Sequence, residues 1–301
     1  MNNSIVDEIP GLKKEKDAVI LAHSYQPPEI QDIADHVGDS LQLSRIAATT
    51  NASVIIFCGV RFMAETAHIL SPEKTVILPE PDAGCPLADC IEVPALKTMQ
   101  EMYPDALTVL YVNSPADVKA MSYACCTSAN ALEVIESVPS DEIIFAPDRN
   151  LGTFVSDKTE KNIHIWNGAC RSHALTDIND IAVKKEEWPD AKLLVHPETP
   201  PDVWKIADAV LGTGGMIRYV AESKSRRFII GTEEGMAYRL KTLYPDREFV
   251  AGGKIYCVNM KKISLRKILN SLRNLEPVIE LDPQIREKAC AAVERMTEIT
   301  G

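Results

Sequence analysis

Short apolar runs recur along the chain, and longer stretches separate them in which apolar positions return every three or four residues. The short runs are rich in Val, Ile and Leu and lack polar alternation, as strands buried on both faces of a parallel sheet do. They fall into three sets of three: Ala18–His23, Val54–Phe57 and Thr75–Leu78, then Leu107–Tyr111, Glu142–Phe145 and Asn162–Trp166, then Lys192–His196, Arg227–Ile230 and Glu248–Val250. Helical periodicity covers Asp32–Ala48, Pro94–Met102, Asn130–Glu136, Asp202–Asp208 and Glu234–Leu243. Strands that alternate with helices predict α/β units with their ligand-facing loops at the strand C-terminal ends. A last helical stretch, residues 264–301, places Leu265, Ile268, Leu269 and Leu272 at core spacing and is expected to pack back onto the first unit.

The cysteines turn this pattern into a repeat. Cys85, Cys170 and Cys257 lie 85 and 87 residues apart, and each follows the third run of its set. Glycines stand beside them, at Gly84, Gly168 and Gly252-Gly253, where backbone can approach a bulky inorganic group. The spacing predicts a triplicated unit: residues 1–88 with 264–301, residues 89–174 and residues 175–263. One thiol from each copy then meets the others on a central axis, and three converging thiolates form a soft-metal site with one position open. Cys58, Cys125, Cys126 and Cys290 read as small buried hydrophobes, while Cys90 is close enough in sequence to Cys85 to be a spare ligand. No Cys-x-x-Cys occurs, so a zinc ribbon or a dithiol redox motif is not indicated.

Two further sets recur once per unit. The first runs end in the pairs His23 and Tyr25, Tyr111 and Asn113, and His196 and Glu198, whose i, i+2 spacing points both members the same way. Six such groups around one axis can hold an oxygen-rich substrate and move protons about it. The turns Gly38-Asp39-Ser40, Thr127-Ser128-Ala129-Asn130 and Gly212-Thr213-Gly214-Gly215 offer backbone N–H groups and hydroxyls to an anion. They also serve as helix caps, and Asn130 with Glu133 has the form of a capping box.

The 301 residues, 46% apolar and 25% charged, are those of an ordinary globular chain able to bury a large core. No apolar run is long enough to span a bilayer, and the first residues carry no basic-then-apolar signal, so a cytoplasmic location with reduced thiols is expected. A net charge of −11 argues against nucleic acid and anionic membranes as partners. For an anionic substrate, it demands local attraction from helix N-termini, hydroxyls or a metal.

Several motifs together resemble the quinolinate synthase family over essentially the whole chain. They are His23-Ser-Tyr-Gln-Pro-Pro-Glu-Ile-Gln-Asp-Ile-Ala-Asp35, Gly38-Asp-Ser-Leu-Gln-Leu43, Val60-Arg-Phe-Met-Ala-Glu65, Leu110-Tyr-Val-Asn-Ser114, Thr127-Ser-Ala-Asn130, Pro147-Asp-Arg-Asn-Leu151, His196-Pro-Glu198 and Cys257-Val-Asn-Met-Lys261. The resemblance implies three similar three-layer α/β units with short parallel sheets around a pseudo-threefold axis. It implies a [4Fe-4S] cluster held by Cys85, Cys170 and Cys257, with one iron left open. The activity implied is condensation of iminoaspartate with dihydroxyacetone phosphate to quinolinate, with loss of phosphate and water, downstream of an enzyme that supplies iminoaspartate. His23, Tyr25, Tyr111, Asn113, His196 and Glu198 would line the substrate site, with Ser40, Ser128 and Thr213 gripping carboxylates or phosphate. Glu198 is then the expected general base, with Tyr25 and His23 steering protons. Two alternatives are a chain that uses its cysteines structurally, for iron–sulfur or zinc, and a [4Fe-4S] hydro-lyase acting on another small hydroxy acid.

Overall fold

In the computed structural model, which describes residues 2–299 and their side chains from residue 5 onward, all nine expected strands are present. The unit limits expected at residues 1 and 301 lie outside the described residues. Each set gains one strand. The twelve are β1 Ala18–His23, β2 His36–Gly38, β3 Val54–Cys58, β4 Thr75–Ile77, β5 Leu107–Tyr111, β6 Ala124–Cys126, β7 Glu142–Ala146, β8 Asn162–Ile165, β9 Lys192–Val195, β10 Ala209–Val210, β11 Arg227–Gly231 and β12 Glu248–Ala251. They form three four-stranded sheets, ordered β2-β1-β3-β4, β6-β5-β7-β8 and β10-β9-β11-β12, and every pairing is parallel. The shared strand order makes the triplication a property of the fold.

The added strands correct two helices. The run Asp32–Ala48 is divided into a helix Pro28–Ile33, strand β2 and a helix Ser40–Thr49. Asp35 causes the break: its N–H donates to Ile20 O at 3.0 Å, and its carboxylate accepts the Ile20 N–H at 2.8 Å. That two-way bond draws the chain out of helix and onto the edge of β1. Asp208 repeats it against Leu193 of β9, at 2.9 and 2.8 Å, so the helix expected over Asp202–Asp208 is only Pro201–Trp204.

Most buried apolar residues belong to one core that runs through all three units, while Ile181, Ala191, Leu193, Val195, Val203 and Ile229 form a smaller cluster in the third. The helix Leu265–Asn274 buries Leu265, Ile268, Leu269 and Leu272 and packs on the helix Asn2–Glu15 and on β3, as expected. The helix Pro283–Glu298 goes further. It packs on Ser40–Thr49 and Arg61–Leu70 of the first unit and on β6 and Ala116–Lys119 of the second, closing the seam between them. Asn130 Nδ2 donates to Met296 O at 2.9 Å across this seam, and its Oδ1 accepts from the Thr127 N–H and hydroxyl. Asn130 is therefore not half of a capping box.

The three polar turns meet near the axis. A Cβ on Gly212 would lie 2.8 Å from Ser128 Oγ, and one on Gly214 would collide with the Asp39 carboxylate. Glycine at 212 and 214 lets the third unit close against the other two. Among the described residues, no helix is long and apolar enough to cross a membrane.

Candidate functional site

Strands β1, β5 and β9 deliver their C-terminal ends to one cavity of about 540 Å³. His23, Tyr25, Ser40, Tyr111, Asn113, Ser128, His196, Glu198 and Thr213 line it, together with Cys85, Cys170 and Cys257. The three cysteines, the six strand-end groups and the three turn hydroxyls expected at the site are thus brought together, whereas Asn130 is not among the lining residues. The second member of each pair, and His196 itself, lies in the turn beyond its strand, so side-chain direction is set by local bonds. The Tyr25 N–H donates to His23 Nδ1 at 3.1 Å, and the Glu198 N–H donates to His196 Nδ1 at 3.3 Å. Each ring therefore keeps its proton on Nε2, and that of His196 lies 3.2 Å from Ser128 Oγ. Burial pushes His23 down to about 3 and His196 down to about 4, so both are neutral donors near pH 7. Arg171 and Lys254 also line the cavity and supply the cations that the acidic chain otherwise lacks for an anionic ligand.

The three cysteines have one local design. Each carbonyl accepts the N–H four residues on: Asp89 to Cys85 at 3.0 Å, Ala174 to Cys170 at 2.8 Å and Lys261 to Cys257 at 3.3 Å. Each thiol thus starts a helical turn, and backbone N–H groups of Leu87 and Ala88, of His173, and of Asn259 and Met260 favour its ionised form. Burial works the other way. It pushes Cys85 up to about 12 with a smaller push from Cys257, drives Cys170 well up with help from Glu198 and Cys85, and raises Cys257. Thiols from three units, each aimed at by peptide N–H groups that favour its ionised form, fit a three-cysteine cluster or another soft metal. Cys90 is not among the lining residues; its Sγ lies 2.9 Å from Leu87 O. A second donor set is mixed: one ligand atom each from Cys170, His173 and Glu198, all within 4.8 Å.

In that set the donors already hold one another. His173 Nδ1 lies 2.8 Å from Glu198 Oε2 and 3.2 Å from Cys170 Sγ, and Nε2 lies 2.8 Å from Thr232 Oγ1. Thr232 Oγ1 is in turn 2.6 Å from the Tyr25 hydroxyl. A carboxylate only accepts, so Nδ1 carries a proton; with the ring neutral, Nε2 accepts from Thr232, whose hydroxyl then accepts from Tyr25. The result is a directed chain from Tyr25 through Thr232 and His173 to Glu198. Burial opposes charge on Glu198, but the His196 and His173 rings and hydrogen bonds from His173 and Tyr111 hold its carboxyl down to about 2. With His196 neutral near pH 7, the His173 ring and the hydrogen bonds from His173 and Tyr111 are what remain to favour the charged carboxylate. Burial, followed by repulsion from Glu198, pushes the neighbouring Asp148 up to about 7.

Sequence reasoning missed His173, Thr232, Asp148, Glu233 and Lys261 as members of the site. One signal was available: His173 follows Cys170 by three residues in the short helix Arg171–Ala174, which puts both on one helical face. Thr232 and Glu233 follow β11 as Pro147 and Asp148 follow β7, an offset visible only once the units are aligned on their central strands.

Three copies of one parallel α/β unit, closing on a pocket of thiols, imidazoles and a carboxylate, define a triplicated α/β enzyme. A family profile described as "Quinolinate synthetase A protein" matches residues 7–298, and the chain belongs to that family. It is 51% identical over 296 residues to "Quinolinate synthase" of Dehalococcoides mccartyi, with 98% of each chain covered. To "Quinolinate synthase" of Thermodesulfovibrio yellowstonii it is 51% identical over 298 residues, again with 98% of each covered. To "Quinolinate synthase 2" of Methanosarcina acetivorans it is 49% identical over 298 residues, covering 99% of this chain and 96% of the relative.

Proposed function

We propose that the chain condenses iminoaspartate with dihydroxyacetone phosphate to quinolinate, with loss of phosphate and water, in the cavity described above. In this reading Cys85, Cys170 and Cys257 hold a [4Fe-4S] cluster. When bound, its open iron supplies a Lewis acid for the hydroxyl that leaves as water. The observation that carries the proposal is the meeting of one cysteine per unit with Glu198 in a single cavity. The enzyme works in the cytoplasm, receives iminoaspartate from a separate enzyme, and has unit boundaries near residues 88, 174 and 263.

The protein's own groups divide the remaining work. Ser40, Ser128 and Thr213 sit at turns that meet near the axis and grip carboxylates or phosphate, with Arg171 and Lys254 adding charge at the cavity wall. Glu198 removes substrate protons at Oε1, which faces Asn113 Nδ2 at 3.5 Å, while Oε2 is held by His173. A carboxylate held this low is a weak base alone, and His173 extends it. A substrate proton taken up by the Tyr25 hydroxyl as that group passes its own through Thr232 to Nε2 leaves the phenol neutral and forms an imidazolium, which Glu198 balances while it is itself unprotonated. His23 presents its Nε2–H to the substrate as a neutral donor.

Anaerobically purified protein tests the proposal. Iron and acid-labile sulfide near four each per chain, and quinolinate formed from the two named substrates, are the expected results. Zinc in place of iron, or iron with dehydration of a different hydroxy acid and no quinolinate, overturns it.

A further inference from the structure

One backbone bond in each unit ties the exit of the central strand to the cysteine loop. Arg61 N–H donates to Ala83 O at 2.8 Å, Arg149 N–H to Gly168 O at 2.8 Å, and Glu234 N–H to Ile255 O at 3.1 Å. The acceptor lies two residues before the cysteine every time. The residues just before the three donors are therefore equivalent, and they are Val60, Asp148 and Glu233.

Two of the three are fully buried carboxylates, each with 0% exposure, and they do the same thing. Asp148 Oδ2 accepts the Cys170 N–H at 2.9 Å, and Oδ1 accepts the Leu151 N–H at 2.8 Å. Glu233 Oε1 accepts the Cys257 N–H at 3.2 Å, and Oε2 accepts the Gly235 N–H at 2.8 Å. Lys261 Nζ stands 2.9 Å from Glu233 Oε1 and donates to Tyr25 O at 2.7 Å. The Val60 side chain can accept nothing, and among the described residues the Cys85 N–H has no acceptor. One oxygen of each acid serves the helix that follows. The other reaches across to a cysteine, which capping does not require.

A buried carboxylate is costly to keep unless each oxygen is bonded, and these bonds are spent on the peptide groups of two cysteines. We infer that Asp148 and Glu233 are positioning residues that set the backbone of Cys170 and Cys257, and so the direction of their thiols, while the Cys85 N–H meets no such carboxylate. The inference rests on the proposed function, because it concerns how these thiols receive iron. It breaks the threefold symmetry of the site in a stated way: two ligands are bracketed from behind and one is not.

The test compares anaerobically reconstituted wild type with Asp148→Ser, Glu233→Gln and the control Asp177→Ser. Serine at 148 keeps the cap on Leu151 but is too short to reach Cys170. Asp177 caps an exposed helix through Asn179 N–H and touches no cysteine, so its variant matches the capping change alone. Iron and sulfide per chain should fall at least twofold in Asp148→Ser and Glu233→Gln, with altered EPR lines of the reduced protein and unchanged ellipticity, and should hold in the control. Wild-type iron, sulfide and EPR lines in both variants overturn the inference. Should a variant fail to fold, amide hydrogen exchange of the wild-type holoenzyme decides: at least tenfold slower exchange at Cys170 and Cys257 than at Cys85 supports the brackets, and equal rates remove them. Wild type that takes up no iron defeats the proposed function instead, and amide exchange still reads the brackets in that protein.

Discussion

His173 Nδ1 stands 2.8 Å from Glu198 Oε2 with both side chains buried, so a residue one turn past the second unit's cysteine is fastened to the acid of the third unit. The contact fixes which ring nitrogen bears the proton, and it makes Tyr25, Thr232, His173 and Glu198 one hydrogen-bonded system. Removing any member should be felt by the others.

Glu198→Gln replaces the acceptor with a neutral amide of the same shape. Its carbonyl can still receive the His173 Nδ1–H, so the fold and the three cysteines are left alone. Turnover should fall by about 10²–10⁴ while iron content and visible absorption stay at wild-type levels, as loss of a general base predicts. A rate within threefold of wild type in the anaerobic assay would take Glu198 out of that role.

Tyr25→Phe and Thr232→Val each cut the chain, at contacts of 2.6 and 2.8 Å. If the groups act as a unit, the double variant is no slower than the slower single one, because the second cut removes nothing further. Losses in kcat that multiply would mean that Tyr25 and Thr232 act separately.

Much of this was legible in the sequence because central strands carry little else but apolar residues: β1, β3, β5, β7, β9 and β11 are buried along most of their length. Three of the edge strands, β2, β6 and β10, were not. His36–Gly38 starts with an exposed histidine and Ala209–Val210 has two residues, so neither outlasts the helical pattern around it. Only the paired bonds of Asp35 and Asp208 to neighbouring strands define them. The thiols and the strand-end pairs were visible because they recur in register. His173 and Thr232 occur once each, so periodicity carries no trace of them.

Stability should fall as pH drops below about 6.5. His23 and His196 are depressed to about 3 and about 4 when folded, whereas the unfolded imidazoles take up protons near 6.5. Their contribution is thus fully present above 6.5 and is lost as pH falls toward the folded values. Asp148, raised to about 7, has the opposite sign, being favourable at low pH and lost as pH rises through 7. The difference between wild type and His196→Asn isolates one imidazole: between about pH 6 and 4 wild type should lose about 1.4 kcal/mol more per pH unit than the variant, which keeps His23. Urea midpoints at several pH values measure it, and parallel slopes would contradict a neutral, buried His196.

Gly235→Ala should damage the protein from outside the cavity. A Cβ there would lie 2.8 Å from Ser24 O and 2.9 Å from the Tyr25 Cα, and both neighbours are backbone that cannot rotate away. Gln31 Nε2 pins the same place by donating to Gly235 O at 3.1 Å and to Ser24 O at 3.0 Å. Relief therefore requires shifting the segment that carries Tyr25, at about 1–3 kcal/mol of overpacking. A displacement of about 1 Å at Tyr25 would loosen its contact with Thr232 and lower kcat by about 10²-fold. Gly11→Ala is the matched comparison, since nothing lies within 4 Å of its added Cβ on the helix Asn2–Glu15. That change should leave kcat unaltered and stabilise the fold by about 0.5–1 kcal/mol. Thermal midpoints and anaerobic kcat for the two variants check the pair, and equal behaviour would show that the approach of the third unit to Tyr25 is not tight.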